Sequence, residues 1–222
     1  MATKKSAKII EIQTLEIEEI ELDLVGLTPL ITHNWSEKAK KEMLDKQMGV
    51  TKTKKREPKN PIQDFADSLY WIDKEIKPTD FTADEIQKVL SSKPRFGFPA
   101  VAIKLAAASA AYRNGISKDK VSIMGSFHIQ GTDPKQSELV VLQGDVPEMR
   151  EDMVRIGMGT ADIRYRAQFN NWGTKIKLSY NKNGAYSLEQ IINMINIGGY
   201  SVGLGEWRIE KGGMFGSYAI KS

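Results

Sequence analysis

Seven glycines fall within the nineteen residues from Gly198 to Gly216, in the stretch GGYSVGLGEWRIEKGGMFGSYAIKS. They are Gly198, Gly199, Gly203, Gly205, Gly212, Gly213 and Gly216, interleaved with Tyr200, Trp207, Phe215 and Tyr218. Glycine loses more backbone freedom on folding than any other residue, so a run this dense marks backbone that takes positive φ or lets another group come close. Either another element of the same chain or a ligand makes that approach.

The chain has 222 residues, 41% hydrophobic and 27% charged, which is long enough for a substantial core. No run of 18 apolar residues exists, so no membrane span is expected, and MATKKSAK lacks the apolar segment of a secretory signal. Cysteine is absent, which excludes disulfides and thiolate metal sites and fits a cytoplasmic location. His33 and His128 are far apart in sequence, so no metal site is expected. The net charge of +4 is unevenly placed. Ile9 to Leu24 carries Glu11, Glu16, Glu18, Glu19, Glu21 and Asp23 and no base, whereas Lys38 to Lys59 and Arg155 to Ser222 are basic. Basic regions of this kind are the electrostatic footprint of a polyanion partner.

From Ile17 to Val25 apolar and acidic residues alternate as in a half-buried strand, and the parity of Leu15 and Ile17 predicts a bulge near Glu18–Glu19. Ser36 opens a helix to about Gly49, and the cluster from Val50 to Pro61 reads as an exposed basic loop. PIQDFADSLYWI has helical spacing, Thr82 with Glu85 forms a capping box, and an Ala-rich helix runs from Pro99 to Asn114–Gly115. Strands are expected at Val121–Gln130 and Glu138–Gln143. Ile163, Tyr165 and Ala167 alternate with Arg164, Arg166 and Gln168, and Ile176 and Leu178 with Lys175 and Lys177, which reads as an antiparallel pair joined through NNWG. Ser187 with Gln190 caps a helix, followed by the glycine-rich tail and a last strand, Ser217–Ile220.

Gly203-x-Gly205 is no dinucleotide fingerprint, because Arg208 stands where a small residue is needed and the segment follows a helix; no Walker lysine is present. No cofactor is expected. The basic strand faces suggest a phosphate-tracking groove built from Arg155, Arg164, Arg166, Lys175, Lys177 and Arg208, with Lys52, Lys54, Lys55 and Arg56 capturing the polyanion. Tyr165, Phe169, Trp172, Tyr200 and Trp207 are candidates for stacking on bases. Successive glycine amides can also form an anion nest. His33, after the first strand and ahead of a basic helix, is the candidate general base on a ribose hydroxyl.

The helix SLEQIINMINIGG followed by YSVGLGEW and GGMFGSYAI resembles the terminal signature of the RAMP superfamily, ferredoxin-like proteins related to the RNA-recognition motif that occur in CRISPR effector complexes. In that family the glycine-rich loop after a final helix contacts RNA backbone, a role the resemblance would carry to Gly198, Gly199, Gly203 and Gly205. The segments PLITHNWSEKAKKEMLDKQ, FGFPAVAIKLAAASAA and IRYRAQFNNW resemble a group of uncharacterised bacteriophage proteins.

Together these features predict one α+β domain over residues 1–222, a ferredoxin-like antiparallel sheet with packed helices and an insertion at about 36–98. The expected function is binding of single-stranded nucleic acid, RNA or DNA, without sequence preference and without enzymatic activity. Its setting would be the cytoplasm of a phage-infected bacterium, with self-association along the strand. The alternatives are a RAMP-like endoribonuclease using His33 and a protein-binding phage factor.

Overall fold

The computed structural model describes residues 14–50, 58–156 and 159–221. Strand β1 (Ile17–Gly26) turns Ile20, Leu22 and Leu24 toward the core and Glu19, Glu21 and Asp23 to solvent, as the alternation predicts. Its pairing with β9 (Trp172–Asn181) is unbroken from Ile17↔Asn181 to Val25↔Gly173, so the bulge expected at Glu18–Glu19 does not occur. Glu18 instead takes part in the regular pleat, its carboxylate accepting a 2.9 Å hydrogen bond from the Tyr180 hydroxyl.

Side-chain caps set most of the helix starts. The Ser36 hydroxyl accepts from the Ala39 amide at the head of α1 (Glu37–Gln47), and Asn60 caps α2 (Pro61–Ser68). Thr82 caps α3 (Ala83–Ser91), and Ser187 with Gln190 completes a reciprocal capping box on α6 (Leu188–Ser201). Each cap satisfies an amide that the first helical turn leaves unpaired. Helix α4 (Ala100–Arg113) follows Pro99, and α5 (Lys120–Ser126) is capped by Asp119. The last of these corrects the sequence reading, because Val121–Ser126 is helical and the strand β5 begins only at Phe127 (Phe127–Gly131).

Six elements form the core in the chain order β1–α4–β5–β9–α6–β10, with β10 at Tyr218–Ile220. In space the strands run β10-β1-β9-β5, every neighbour antiparallel. That connectivity and order are those of the ferredoxin-like βαββαβ fold. The fold is therefore α+β with an antiparallel sheet, as expected. Helices α4 and α6 lie against each other, and the alanines explain how closely: a Cβ on Gly198 would stand 2.7 Å from the Ala107 amide nitrogen.

Two excursions elaborate this core. Residues 27–99 carry β2 (Leu30–Thr32), α1, α2, β3 (Tyr70–Trp71), α3 and β4 (Phe96–Pro99). Residues 132–171 carry β6 (Leu139–Gly144), β7 (Glu148–Ile156) and β8 (Thr160–Phe169). Strands β6, β4 and β3 extend the main sheet, β6 continuing along the same side of β9 as β5. Strands β2, β8 and β7 form a second sheet. Here the expected hairpin fails: β8 and β9 are consecutive but lie in different sheets, and the partners of β8 are β7 and β2. The alternation of Arg164 and Arg166 is real, but it belongs to another surface than that of Lys175 and Lys177. Among the described residues no helix is long and apolar enough to cross a membrane.

Candidate nucleic-acid interface

After α6 the chain loops back through residues 202–217 before entering β10, and here the glycines meet backbone of this same chain. A Cβ on Gly199 would lie 2.0 Å from the Tyr218 carbonyl oxygen, and one on Gly205 2.2 Å from that of Ile31. The amides are engaged as well: Gly203 donates to Gly198, Leu204 to Gly216, Glu206 to Ile31 and Gly216 to Pro29, at 2.8–3.0 Å. The expected anion nest is corrected accordingly, because these donors already serve the chain's own carbonyls. The four glycines act as spacers: Gly198 against α4, Gly199 against β10, Gly203 against Phe215 within the loop and Gly205 against β2.

The loop forms one wall of a cleft of about 520 Å³. Tyr70, Phe98 and Leu105 line that cleft together with the cations Lys120, Arg208 and Lys211 and the carboxylates Glu206 and Glu210. A second cleft of about 430 Å³ is lined by Trp35, Lys59, Asp64, Arg164 and Tyr165. His33 lines both. The two clefts thus meet at the residue that follows β2.

Beneath His33 lies Arg166, buried with its guanidinium 3.5 Å from Asp152 and 3.6 Å from Glu206. Arg150 donates to the same Asp152 at 2.7 Å and lies over the ring of Phe215. This cluster ties the small sheet to the glycine-rich loop, so Arg166 is a structural residue and not a phosphate contact. His33 has its Nδ1 buried with no hydrogen-bond partner among the described residues. Burial pushes its pKa below the ordinary 6.5, helped by Arg166 and Arg164 and opposed by Glu206, so the ring is neutral at pH 7. Protons therefore bind the unfolded chain first as pH falls. The His33 contribution to stability is full above pH 6.5 and is lost as pH drops through the folded-state value. His128 is shifted the same way by burial and Lys104. Chemical denaturation at pH 7 and pH 5 should therefore show a smaller acid loss for His33→Gln than for the parent, with a residual loss from His128.

The remaining expected contacts are dispersed. Trp172 is buried and its Nε1 donates to the Thr28 carbonyl at 2.8 Å, so neither ring face is open to a base; Phe169 is buried too. Lys177 pairs with Glu19 at 2.7 Å, and Lys175 lies 3.7 Å from Glu21 and 3.9 Å from Asp23. The acidic and basic segments, separate in sequence, thus neutralise each other across β1 and β9, and that open sheet face carries no cationic track. Arg155 is exposed on β7, away from both clefts. Arg164 stays partly exposed beside Asp162, and Arg208 is held by Glu210 at 2.9 Å. Trp207 is exposed and adopts a positive φ of 51°, an uncommon conformation for a bulky residue. Lys52, Lys54, Lys55 and Arg56 lie outside the described residues.

Sequence reasoning missed Trp35 and Lys120. The signal for Trp35 was a tryptophan just ahead of a helix cap, where the side chain has no helical face to be buried on; it is 56% exposed.

No family model matches the chain, and no curated protein does. Among solved structures it is similar to Cmr6 from Pyrococcus furiosus, with 11% identity and a TM-score of 0.36, over 94% of this chain and 100% of that one. The fold assignment rests on the strand order and connectivity described above.

Proposed function

We propose that this chain binds single-stranded nucleic acid, RNA or DNA, without sequence preference, along the two clefts that meet at His33. The observation that carries this reading is the shared lining. Cations stand on both sides of His33: Lys120 and Lys211 in one cleft, beside an Arg208 held by Glu210, and Lys59 and Arg164 in the other, where both pair with Asp162, with Tyr70 and Trp35 beside them. Lys120 and Lys211 have no carboxylate partner among the described residues. A strand lying there would find charge for its phosphates and rings for its bases, the combination used by proteins that grip single strands. The phage setting, the cytoplasmic location and self-association along the strand belong to the same proposal.

The test is fluorescence anisotropy with labelled single-stranded RNA, single-stranded DNA and duplex DNA across a salt series. Single-strand affinity should fall steeply with salt, and Lys120→Glu with Lys211→Glu should weaken it tenfold or more while flattening the salt slope by about one contact per lysine. Absence of binding to every probe at low salt overturns the reading.

A second reading is favoured by one observation, the neutral ring of His33 at the junction of the clefts. A neutral imidazole can take the proton of a ribose 2′-hydroxyl. RNA cleavage by the parent that persists undiminished in His33→Ala would remove that reading.

A further inference from the structure

Three of the four strands that end a sheet are very short: β2 and β10 have three residues each and β3 has two. The fourth, β7, has nine, and its sequence EMREDMVRI contains neither glycine nor proline. One side of β7 pairs with β8 in unbroken register, from Glu148↔Gln168 to Ile156↔Thr160. Its other side has no strand beside it among the described residues. A long edge without a bulge is a template for another strand, and proteins ordinarily blunt such edges by shortening them, bulging them or placing proline there. Here β7 alone is left unblunted.

We propose that this edge is completed by β7 of a second copy, antiparallel, about a twofold axis at Met153. Successive side chains alternate between the sheet faces, so a twofold axis sets outward side chains opposite outward ones only when a residue lies on it. With Met153 there, Glu151 of one copy stands opposite Arg155 of the second, and Arg155 opposite Glu151 of the second. Neighbouring choices fail. Centring on Glu151 or on Arg155 sets like charges face to face, and centring on Asp152 or Val154 gives neither ion a counterion. The side chains are open to such a contact: Met153 is 78% exposed, and Glu151 is exposed beside the Tyr165 hydroxyl. Arg155 is exposed and has no carboxylate partner among the described residues.

The two copies then share one six-stranded sheet, β2-β8-β7 followed by β7-β8-β2 of the second copy. Main-chain hydrogen bonds supply the attraction, and the cross-strand ion pairs choose the register and the partner. The contact is isologous, so it closes at two copies instead of growing along a nucleic-acid strand. One added strand is small beside the roughly 800 Å² per partner of a standard interface, so dissociation should be visible on dilution. Neither Glu151 nor Arg155 lines a cleft, and the outcome is therefore independent of strand binding.

Sedimentation equilibrium of the full chain, without nucleic acid, tests it. The mass should rise from 24.9 kDa toward twice that as concentration climbs through the micromolar range. Glu151→Arg and Arg155→Glu should each weaken association tenfold or more, because each sets two like-charged pairs across the axis. Both positions are exposed, so the fold survives the change. Combining the two substitutions should restore the parent's affinity, since opposite charges then face each other again. The chain has no cysteine, so Met153→Cys supplies a single thiol on the axis. Directly opposed residues of an antiparallel pair have Cα atoms about 4.5–5.5 Å apart, within the reach of a disulfide. Mild oxidation should therefore link two copies, whereas Lys88→Cys on the exposed side of α3 should stay unlinked. A mass fixed at 24.9 kDa throughout that range overturns the proposal. A dimer indifferent to Glu151→Arg, or one that the combined variant fails to restore, overturns it equally.

Discussion

Gly199→Ala is expected to cost about 3 kcal/mol, the upper end of the range for overpacking a filled site. The added methyl would stand 2.0 Å from the Tyr218 carbonyl oxygen and 2.8 Å from the Tyr218 ring. Neither can retreat: Tyr218 is buried, and its strand is hydrogen-bonded to β1. The thermal midpoint should fall by roughly 6–12 °C for a chain of this length. Gly212→Ala is the control. Its φ of 78° carries the ordinary cost of a left-handed conformation, about 1 kcal/mol, but a Cβ there meets nothing within 4 Å. Equal losses in the two variants would mean that the close approach of α6 to β10 is not what Gly199 serves.

The second large effect separates two arginines that stand two residues apart on one strand. Arg166→Glu removes the cation between Asp152 and Glu206 and sets a third carboxylate directly against the buried Asp152. Breaking a buried ion pair in this way costs about 3–5 kcal/mol. Arg164→Glu touches only a partly exposed pair with Asp162, at 3.6 Å, and its effect on stability should be about 1 kcal/mol or less. Its effect should appear in binding, since Arg164 lines the second cleft. Thermal melts and anisotropy on both variants give the answer. A stable Arg166→Glu would contradict the buried cluster, and undiminished strand binding by Arg164→Glu would count against the cleft.

These two arginines also show where sequence reading reached its limit. Alternation placed Arg164 and Arg166 on one face of a strand, which they share, but burial along that face changes within two residues as the glycine-rich loop closes over it. The same limit applies to NNWG. A turn between two alternating segments says that the chain reverses, not that the segments pair, and here the reversal passes from one sheet to the other. Helix starts are far more legible, because a cap is a local hydrogen bond: Ser36 and Ser187 with Gln190 act as their spacing predicts, and Thr82 caps α3 by accepting from the Glu85 amide. Asn60 and Asp119 are caps that the spacing does not reveal, and without the second of them Val121–Ser126 reads as a strand. The glycines marked close approach correctly, but composition says nothing about whose backbone approaches. The charge segregation misled for a related reason, since Lys175 and Lys177 find their counterions on β1, some 150 residues earlier in the chain.

That last pairing bears on how the protein is made. Both neighbours of β1 in the sheet, β9 and β10, come from the final third of the chain. On the ribosome β1 emerges well before β9 and β10 and waits, with both edges open, until they follow. An unpaired strand is a template for association with other nascent chains, and long-range pairing of this kind is slow to form. Glu19, Glu21 and Asp23, on the outward face of that waiting strand, make it repel its own kind until the lysines of β9 arrive.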